Sequence, residues 1–351
     1  RTTAAGGNAM GDKGGRKLIL AGDVGGTKTE LGLYGVEGGG IRTLCLEKFT
    51  NSGFAAPEDI IDKFLEGQDG PIASAVLGVA APVADNECTF TNLTWSLDGG
   101  EIGKRFDIGK VKLINDLVAT AWGIGLLSEK DLYPLQPGKP GSGNGAVIAA
   151  GTGLGEVLLF REGDGKTLRP SASEGGHADF APRTEVEVAL LAYLRDKFGH
   201  VSYERVVSGA GLKDIYDFLR IKKGASGPDP LKGSFESEDP AAVIAGEALS
   251  KGDETCRKAL GIFVSVYGAE AGNLALKVLP TGGLYVAGGI APKIIDVLKD
   301  GTFMDAFRDK GRFREFLSGV PVYVVLDPGT ALLGAAHVAA RTVAQRDYTL
   351  A

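Results

Sequence analysis

An α/β fold is predicted by three features of the chain: apolar runs of strand length, helical segments between and after them, and glycine-rich turns where several runs end. The two types of segment alternate from Leu18 onward, without a repeat of fixed period. Lys17 to Gly22 predicts a short buried strand and Thr29 to Tyr34 a second, with Gly25-Gly26 between them as the turn of a hairpin. Ala75 to Ala80 and Val111 to Ile114 are continuous apolar runs, which suit strands covered on both faces. Gly145 to Ala150 and Glu156 to Phe160 repeat the arrangement of strand, glycine loop and strand, so two related halves facing a cleft are expected. The Pro and Gly stretch Leu135 to Gly145 reads as the loop that separates them. Beyond it, Thr184 and Glu187 form a capping box for a helix carrying Leu191, Leu194 and Phe198, with Gly199 as its stop. Ser208 caps a second amphipathic helix through Leu212, Ile215, Tyr216 and Leu219. Ala225 to Pro240 reads as a surface loop, and Leu284 to Ala287 and Val322 to Leu326 as the last strands.

A chain of 351 residues is long enough for two domains or one large one. Hydrophobic residues at 44% and charged residues at 23% exclude a largely disordered chain. Its 54 glycines lack a G-X-Y period, which excludes collagen and predicts many tight turns. The net charge of -6 gives no basic footprint, so no nucleic-acid partner is expected. Cys45, Cys88 and Cys256 are odd in number and far apart, which argues against both a disulfide framework and a cysteine zinc site. The longest apolar runs, such as Ile72 to Val83, fall short of the ~20 residues of a membrane helix. A soluble, cytoplasmic protein without a membrane partner is therefore expected. Arg1 to Lys17 is Gly-rich, lacks apolar periodicity and has no acid before Asp12. This leader is expected to lie outside the fold, as either an expression remnant or the end of a removed transit peptide, in which case a plastid is the alternative compartment.

Several glycine motifs fail as nucleotide loops. Gly165-Lys166-Thr167 ends like a Walker A loop, but Phe160 stands where its first Gly is required. Gly151-Thr152-Gly153-Leu154-Gly155 is followed by Glu156, which breaks both the dinucleotide fingerprint and the protein-kinase loop. What remains is Asp23-Val24-Gly25-Gly26-Thr27-Lys28-Thr29 at the hairpin turn. Its glycines admit a phosphate to backbone N–H groups, Thr27 adds a hydroxyl, and Asp23 suits Mg²⁺ held through water. An ordinary Gly-Gly turn with a solvated Asp fits the heptad as well. Gly151-Thr152-Gly153 and Gly288-Gly289 end two further strands, so three turns either converge on one nucleotide or reflect the high glycine content.

The motifs LAGDVGGTKT, TNLTW, INDLVATA, AAGTGLGE, SEGGHADFAP, GHVSYERVVSG, VAGGI and DKGRF follow one another in the order found in bacterial-type glucokinases. From about Leu18 to about His337 the chain resembles that family, within the sugar kinase, Hsp70 and actin superfamily. SEGGHADFAP and GHVSYERVVSG are the most specific pair, because the wider superfamily shares only the glycine loops. The resemblance implies a two-domain ribonuclease-H-like (actin-like ATPase) fold closing over hexose and ATP. The expected organisation is a leader at 1–17, a small α/β domain at 18–126 completed by 328–351, and a large α/β domain at 127–327.

By the same resemblance, Asp116 is the catalytic base that takes the proton of the sugar 6-hydroxyl. Read alone, it suits an N-cap for the helix through Leu117 to Leu127 better than a base. Asn115, Glu174, His177 and Glu204 are implied as hexose ligands, since two carboxylates and an imidazole match a ring of hydroxyls. Taken singly, His177 reads as a loop histidine and Glu204 as a helix-start acid. Asn92 is implied as a further sugar-binding residue. Asp23, Gly25, Gly26, Thr27, Lys28, Gly151, Thr152, Gly153, Gly288 and Gly289 are the implied ATP-binding set, with Mg²⁺ on Asp23 through water. Lys28 departs from members with Asn after G-G-T, and it either reaches a phosphate or is solvated. His200 and His337 read as structural.

The activity so implied is ATP-dependent phosphorylation of D-glucose at its 6-hydroxyl, by a homodimer. A different hexose or N-acetylhexosamine kinase is the enzymatic alternative, although the absence of clustered Cys argues against the zinc-containing group. A non-catalytic sugar sensor or repressor is the alternative from another class. Retention of Asp116 and three glycine loops argues against the sensor, and the 17 residues before Leu18 leave no room for a helix-turn-helix.

Overall fold

A computed structural model describes residues 2–3, 17–37, 40–68, 70–90, 93–138, 141–163, 165, 167–224, 229–250 and 252–344. The chain divides into two compact units, one formed by Arg1–Leu127 with Gly329–Ala351 and the other by Ser128–Pro328.

In the first unit the elements are β1 (Thr2–Thr3), β2 (Lys17–Val24), β3 (Lys28–Glu37), β4 (Gly40–Thr50), α1 (Pro57–Leu65), β5 (Ile72–Val79), β6 (Glu87–Thr89), β7 (Ser96–Asp98), α2 (Gly99–Arg105), β8 (Val111–Asn115) and α3 (Asp116–Ile124). The main sheet has the order β1-β4-β3-β2-β5-β8. β2 is antiparallel to β3 and parallel to β5, which in turn is parallel to β8. Alternation along β2 sends Leu20 and Val24 to one core with Ile60, Phe64 and Ile102, and Ile19 and Ala21 to another with Ala335, Ala336 and Ala339. A strand covered on both faces therefore reads as a continuous apolar run. Each fully buried Leu, Ile or Phe side chain among these contributes about 1.5–3 kcal/mol.

The hairpin is longer than its apolar stretch, because pairing continues through Asp23↔Glu30 to Val24↔Thr29. The leader does not lie wholly outside the fold. Thr2 and Thr3 pair with Leu46 and Cys45 on the outer edge of β4, whose backbone groups would otherwise lack partners, and Lys17 opens β2.

The second unit contains β9 (Leu132–Gln136), β10 (Gly145–Ala150), β11 (Leu154–Arg161), β12 (Leu168–Ser173), α4 (Glu185–Phe198), α5 (Gly209–Lys222), α6 (Lys232–Ser237), α7 (Pro240–Leu249), α8 (Glu254–Val278), β13 (Leu284–Ala287), α9 (Ile295–Leu298), α10 (Thr302–Arg308), α11 (Arg314–Ser318) and β14 (Val322–Val325). Its sheet order is β12-β11-β10-β13-β14-β9. β10 is antiparallel to β11 and parallel to β13, which repeats the arrangement around β2. The chain then returns to the first unit as α12 (Thr330–Val343), which packs on α3, β2 and β5.

Several sequence expectations fail here. Leu135 and Gln136 lie in β9 rather than in a loop, and the buried Gln136 side chain donates to the Leu317 and Val320 carbonyls and accepts from Arg308. Within the expected loop from 225 to 240, α6 and the start of α7 are helical, the latter capped by Asp239. Residues 225–228 lie outside the described ones. At α4, Thr184 accepts from the Glu187 amide at 3.3 Å, but Glu187 accepts from the Arg183 amide instead of completing the box. α8 is long and apolar enough to cross a membrane, contrary to the reading of apolar runs. It is a core helix packed by α5, α7 and α10, and it buries Glu270.

Candidate active site

In the first unit, the C-terminal ends of parallel strands gather the candidate groups, where open α/β sheets bind ligands. Asp23 lies near the end of β2, while Asn115 ends β8 and Asp116 opens α3. Between these strands, a Cβ on Gly78 would come within 3.1 Å of the Ala119 Cβ and 3.7 Å of the Asp116 Cα, so this glycine lets α3 sit close to the sheet. The cap of α3 is Asn115 and not Asp116. Its Oδ1 accepts from the amides of Leu117 and Val118 at 3.0 and 3.3 Å. Asp116 is thereby left at the first helical position, where its Oδ1 also accepts from the Leu117 amide at 2.8 Å.

Burial raises the Asp116 carboxyl above its ordinary range, opposed by the backbone hydrogen bonds and by one from Asn115. Asp23 is pushed up to about 6 by burial first, then by the charges of Asp116 and Glu30, with Lys48 opposing. Two carboxylates raised in this way suit a base and a group that welcomes a hard cation. Among the described residues, no cluster of three or more His, Cys, Asp or Glu could hold a metal. Asp23 is the one acid at the Gly25–Lys28 turn whose carboxylate would be available to a cation carried by a phosphate ligand.

The adjoining turn closes through the Gly25 amide and the Lys28 carbonyl at 3.0 Å. Asn51 was not foreseen. Its buried amide donates to the Gly25 carbonyl at 2.9 Å and accepts from the Thr29 hydroxyl at 2.9 Å, while its backbone N–H donates to Thr27 at 3.0 Å. The sequence Thr50-Asn51-Ser52-Gly53 signals only a turn. Asn92 lies outside the described residues.

In the second unit, the parallel strands β10 and β13 end side by side in Gly151-Thr152-Gly153 and Gly288-Gly289. Gly288 has φ of +85°, and a Cβ there would lie 2.4 Å from the Ala150 carbonyl oxygen, so its requirement is internal to the fold. Gly26, Gly151 and Gly289 differ, since a Cβ on each would meet nothing within 4 Å. Open space beside them leaves room for a ligand at the backbone, and Gly53, Gly233, Gly246 and Gly261 are equally open.

Glu174, His177 and Glu204 come together beside these turns. The His177 ring nitrogens lie 3.9 Å from both carboxylates, Nε2 from Glu174 and Nδ1 from Glu204. Backbone bonds set the cluster: the His177 amide donates to Glu174 at 3.0 Å and the Glu204 amide to Gly176 at 2.9 Å. Glu204 sits in a turn between Val201 and Ser208 and not at a helix start. Two carboxylates and an imidazole gathered in this way offer acceptors and a donor to one polar ligand. His200 pairs with Asp179 at 2.7 Å, and His337 packs on Trp122, so neither joins the cluster.

A family model described as glucokinase matches residues 20–342. The chain belongs to the glucokinase family. A glucokinase of Nostoc punctiforme is 44% identical over 340 residues, covering 92% of this chain and 99% of that protein. One from Synechocystis sp. is 43% identical over 350 residues, covering 92% and 98%. The solved structure of a glucokinase from an Antarctic psychrotroph superposes with a TM-score of 0.79 at 28% identity, covering 92% of this chain and 98% of that one. The α/β architecture is thus that of the actin-like ATPase fold, in which glucokinases are built.

Proposed function

We propose that the chain transfers the γ-phosphoryl group of ATP to the 6-hydroxyl of D-glucose, giving glucose 6-phosphate and ADP. The observation that carries this reading is the half-buried Asp116 carboxylate, set at the first position of α3 behind the Asn115 cap and raised above its ordinary range by desolvation. Asp116 takes the proton of the 6-hydroxyl as that oxygen bonds to the γ-phosphorus and the bond from phosphorus to the bridging oxygen of ADP breaks. Glu174, His177 and Glu204 hold ring hydroxyls, with Asn115 and Asn92 as further sugar ligands. The backbone of Gly25, Gly26 and Thr27, with Lys28, receives phosphates, as do Gly151, Thr152 and Gly153, and Gly288 with Gly289 serves the nucleotide. Asp23 would hold Mg²⁺ through water, and the ion would neutralise phosphate charge.

A coupled assay of ATP, ADP and polyphosphate against a panel of hexoses tests the reading. Turnover is expected with ATP and glucose above all other pairs, and preference for another donor or sugar would overturn it. A cytoplasmic homodimer belongs to the same proposal, and mass photometry of the purified chain tests the dimer.

A further inference from the structure

Directly beneath the Glu174–His177 turn, two acidic side chains with no assigned role are buried together. Glu156 on β11 is 1% exposed and Glu270 on α8 is 0% exposed. Their carboxyl groups lie close enough to interact; Oε1 of Glu156 has no hydrogen-bond partner among the described residues, and Oε1 of Glu270 has only the Lys277 ammonium, at 3.8 Å. Two buried negative charges would repel at high cost, whereas one proton between them satisfies both groups.

Each carboxyl also touches a different part of the sugar cluster. A Cβ on Gly175 would lie 2.0 Å from Glu156 Oε2, so the turn carrying Glu174 and His177 rests on Glu156. On the other side, Asn273 donates to Glu270 Oε2 at 2.8 Å and to the Tyr203 hydroxyl at 2.9 Å, next to Glu204. Lys310 anchors Asn273 by donating to its Oδ1 at 2.6 Å.

We propose that Glu156 and Glu270, joined by one shared proton, are positioning residues that lock the Glu174–His177 turn to the Tyr203–Glu204 turn, and that loss of this proton in alkaline solution weakens hexose binding selectively. The inference rests on the kinase reading above and adds a regulation of its sugar site. Other groups face the pair. Lys277 stands 3.8 Å from Glu270 and lowers both carboxyls, Lys310 lowers Glu270, and the phenols of Tyr203 and Tyr267 lie close by. Burial is the largest influence and raises both carboxyls from their ordinary value of 4.5. The pair accordingly keeps its proton at neutral pH and releases it as pH rises.

The test is steady-state kinetics of the full chain from neutral pH to about pH 9, with wild type, Glu156→Gln and Glu270→Gln. An amide keeps a hydrogen bond across the pair without a titrating proton. For wild type, KM for glucose is expected to rise roughly threefold or more over this range, with KM for ATP unchanged. Either amide variant is expected to hold glucose KM within about twofold of the neutral wild-type value and flat with pH. An active wild type whose alkaline rise persists in the variants, or whose ATP KM rises in parallel, overturns the proposal alone. The two variants test the pair from opposite sides, so one misfolded protein leaves the other to decide. A folded wild type inactive toward every hexose overturns the kinase reading and this inference together.

Discussion

Glu204 accepts a hydrogen bond from the amide of Leu154 at 2.9 Å, which fastens its carboxylate to the strand that follows the Gly151–Gly153 turn. A Cβ on Gly153 would lie 2.4 Å from the Glu204 Oε2. The small size of Gly153 is therefore a condition for that bond, which ties the Gly151–Gly153 turn to the cluster of Glu174, His177 and Glu204.

Gly153→Ala is expected to raise KM for both glucose and ATP, because it displaces Glu204 and the turn together. His177→Ala is expected to raise KM for glucose alone. Its contacts with the two carboxylates, at 3.9 Å, involve a histidine side chain that is 58% exposed, so its loss should cost under about 1 kcal/mol of stability. Kinetics with each substrate varied, together with denaturant melts, check both. Equal effects of His177→Ala on both substrates would remove it from the sugar cluster.

The neighbouring glycines Gly288 and Gly289 should fail differently. Gly289→Val meets open space, so a folded protein is expected to lose ATP affinity while retaining glucose affinity. Gly288→Val strains a positive φ and strikes the Ala150 carbonyl, so it should unfold more easily. Calorimetric titration of folded Gly289→Val with ATP decides, and unchanged affinity would leave the turn with a structural role only.

Asn51→Ala removes a buried amide and strands the Thr29 hydroxyl and Gly25 carbonyl. A loss of about 1–3 kcal/mol is expected. A rise in KM for ATP larger than that for glucose should accompany it, since the clamp holds the Gly25–Lys28 turn that is proposed to receive phosphates. A stable variant with normal ATP kinetics would show that the turn holds itself.

How far the sequence shows this depends on where a residue's partners lie. Strand β13 is legible to the residue, because Leu284–Ala287 is an unbroken apolar run stopped by Gly288. Helix α8 is not, since nearly all its sides are buried and the amphipathic period that marks a surface helix is absent. β9 hides behind Pro134 and a buried Gln136 whose partners come from about α10 and α11 onward. At the site, the glycine turns and the acid after β8 stand out locally. Asn51, Asn273 and the Glu156–Glu270 pair do not, because each acquires its role from contacts made between distant segments.

The acid limb of the pH–rate profile should report the raised carboxylates. A base works only when unprotonated, so kcat/KM is expected to fall as pH drops, with the fall set above the ordinary carboxylate value of 3.8 because burial raises Asp116. Asp23, pushed up to about 6, adds to the same limb. A profile flat down to ordinary carboxylate pH would contradict both assignments.

The central claim is that Asp116 takes the hydroxyl proton, and Asp116→Asn tests it most directly. The amide keeps the shape at the start of α3 but accepts no proton, so kcat is expected to fall by roughly 10² to 10⁴ while glucose still binds by calorimetry. A folded variant that binds glucose and retains more than about a tenth of wild-type kcat would contradict the assignment.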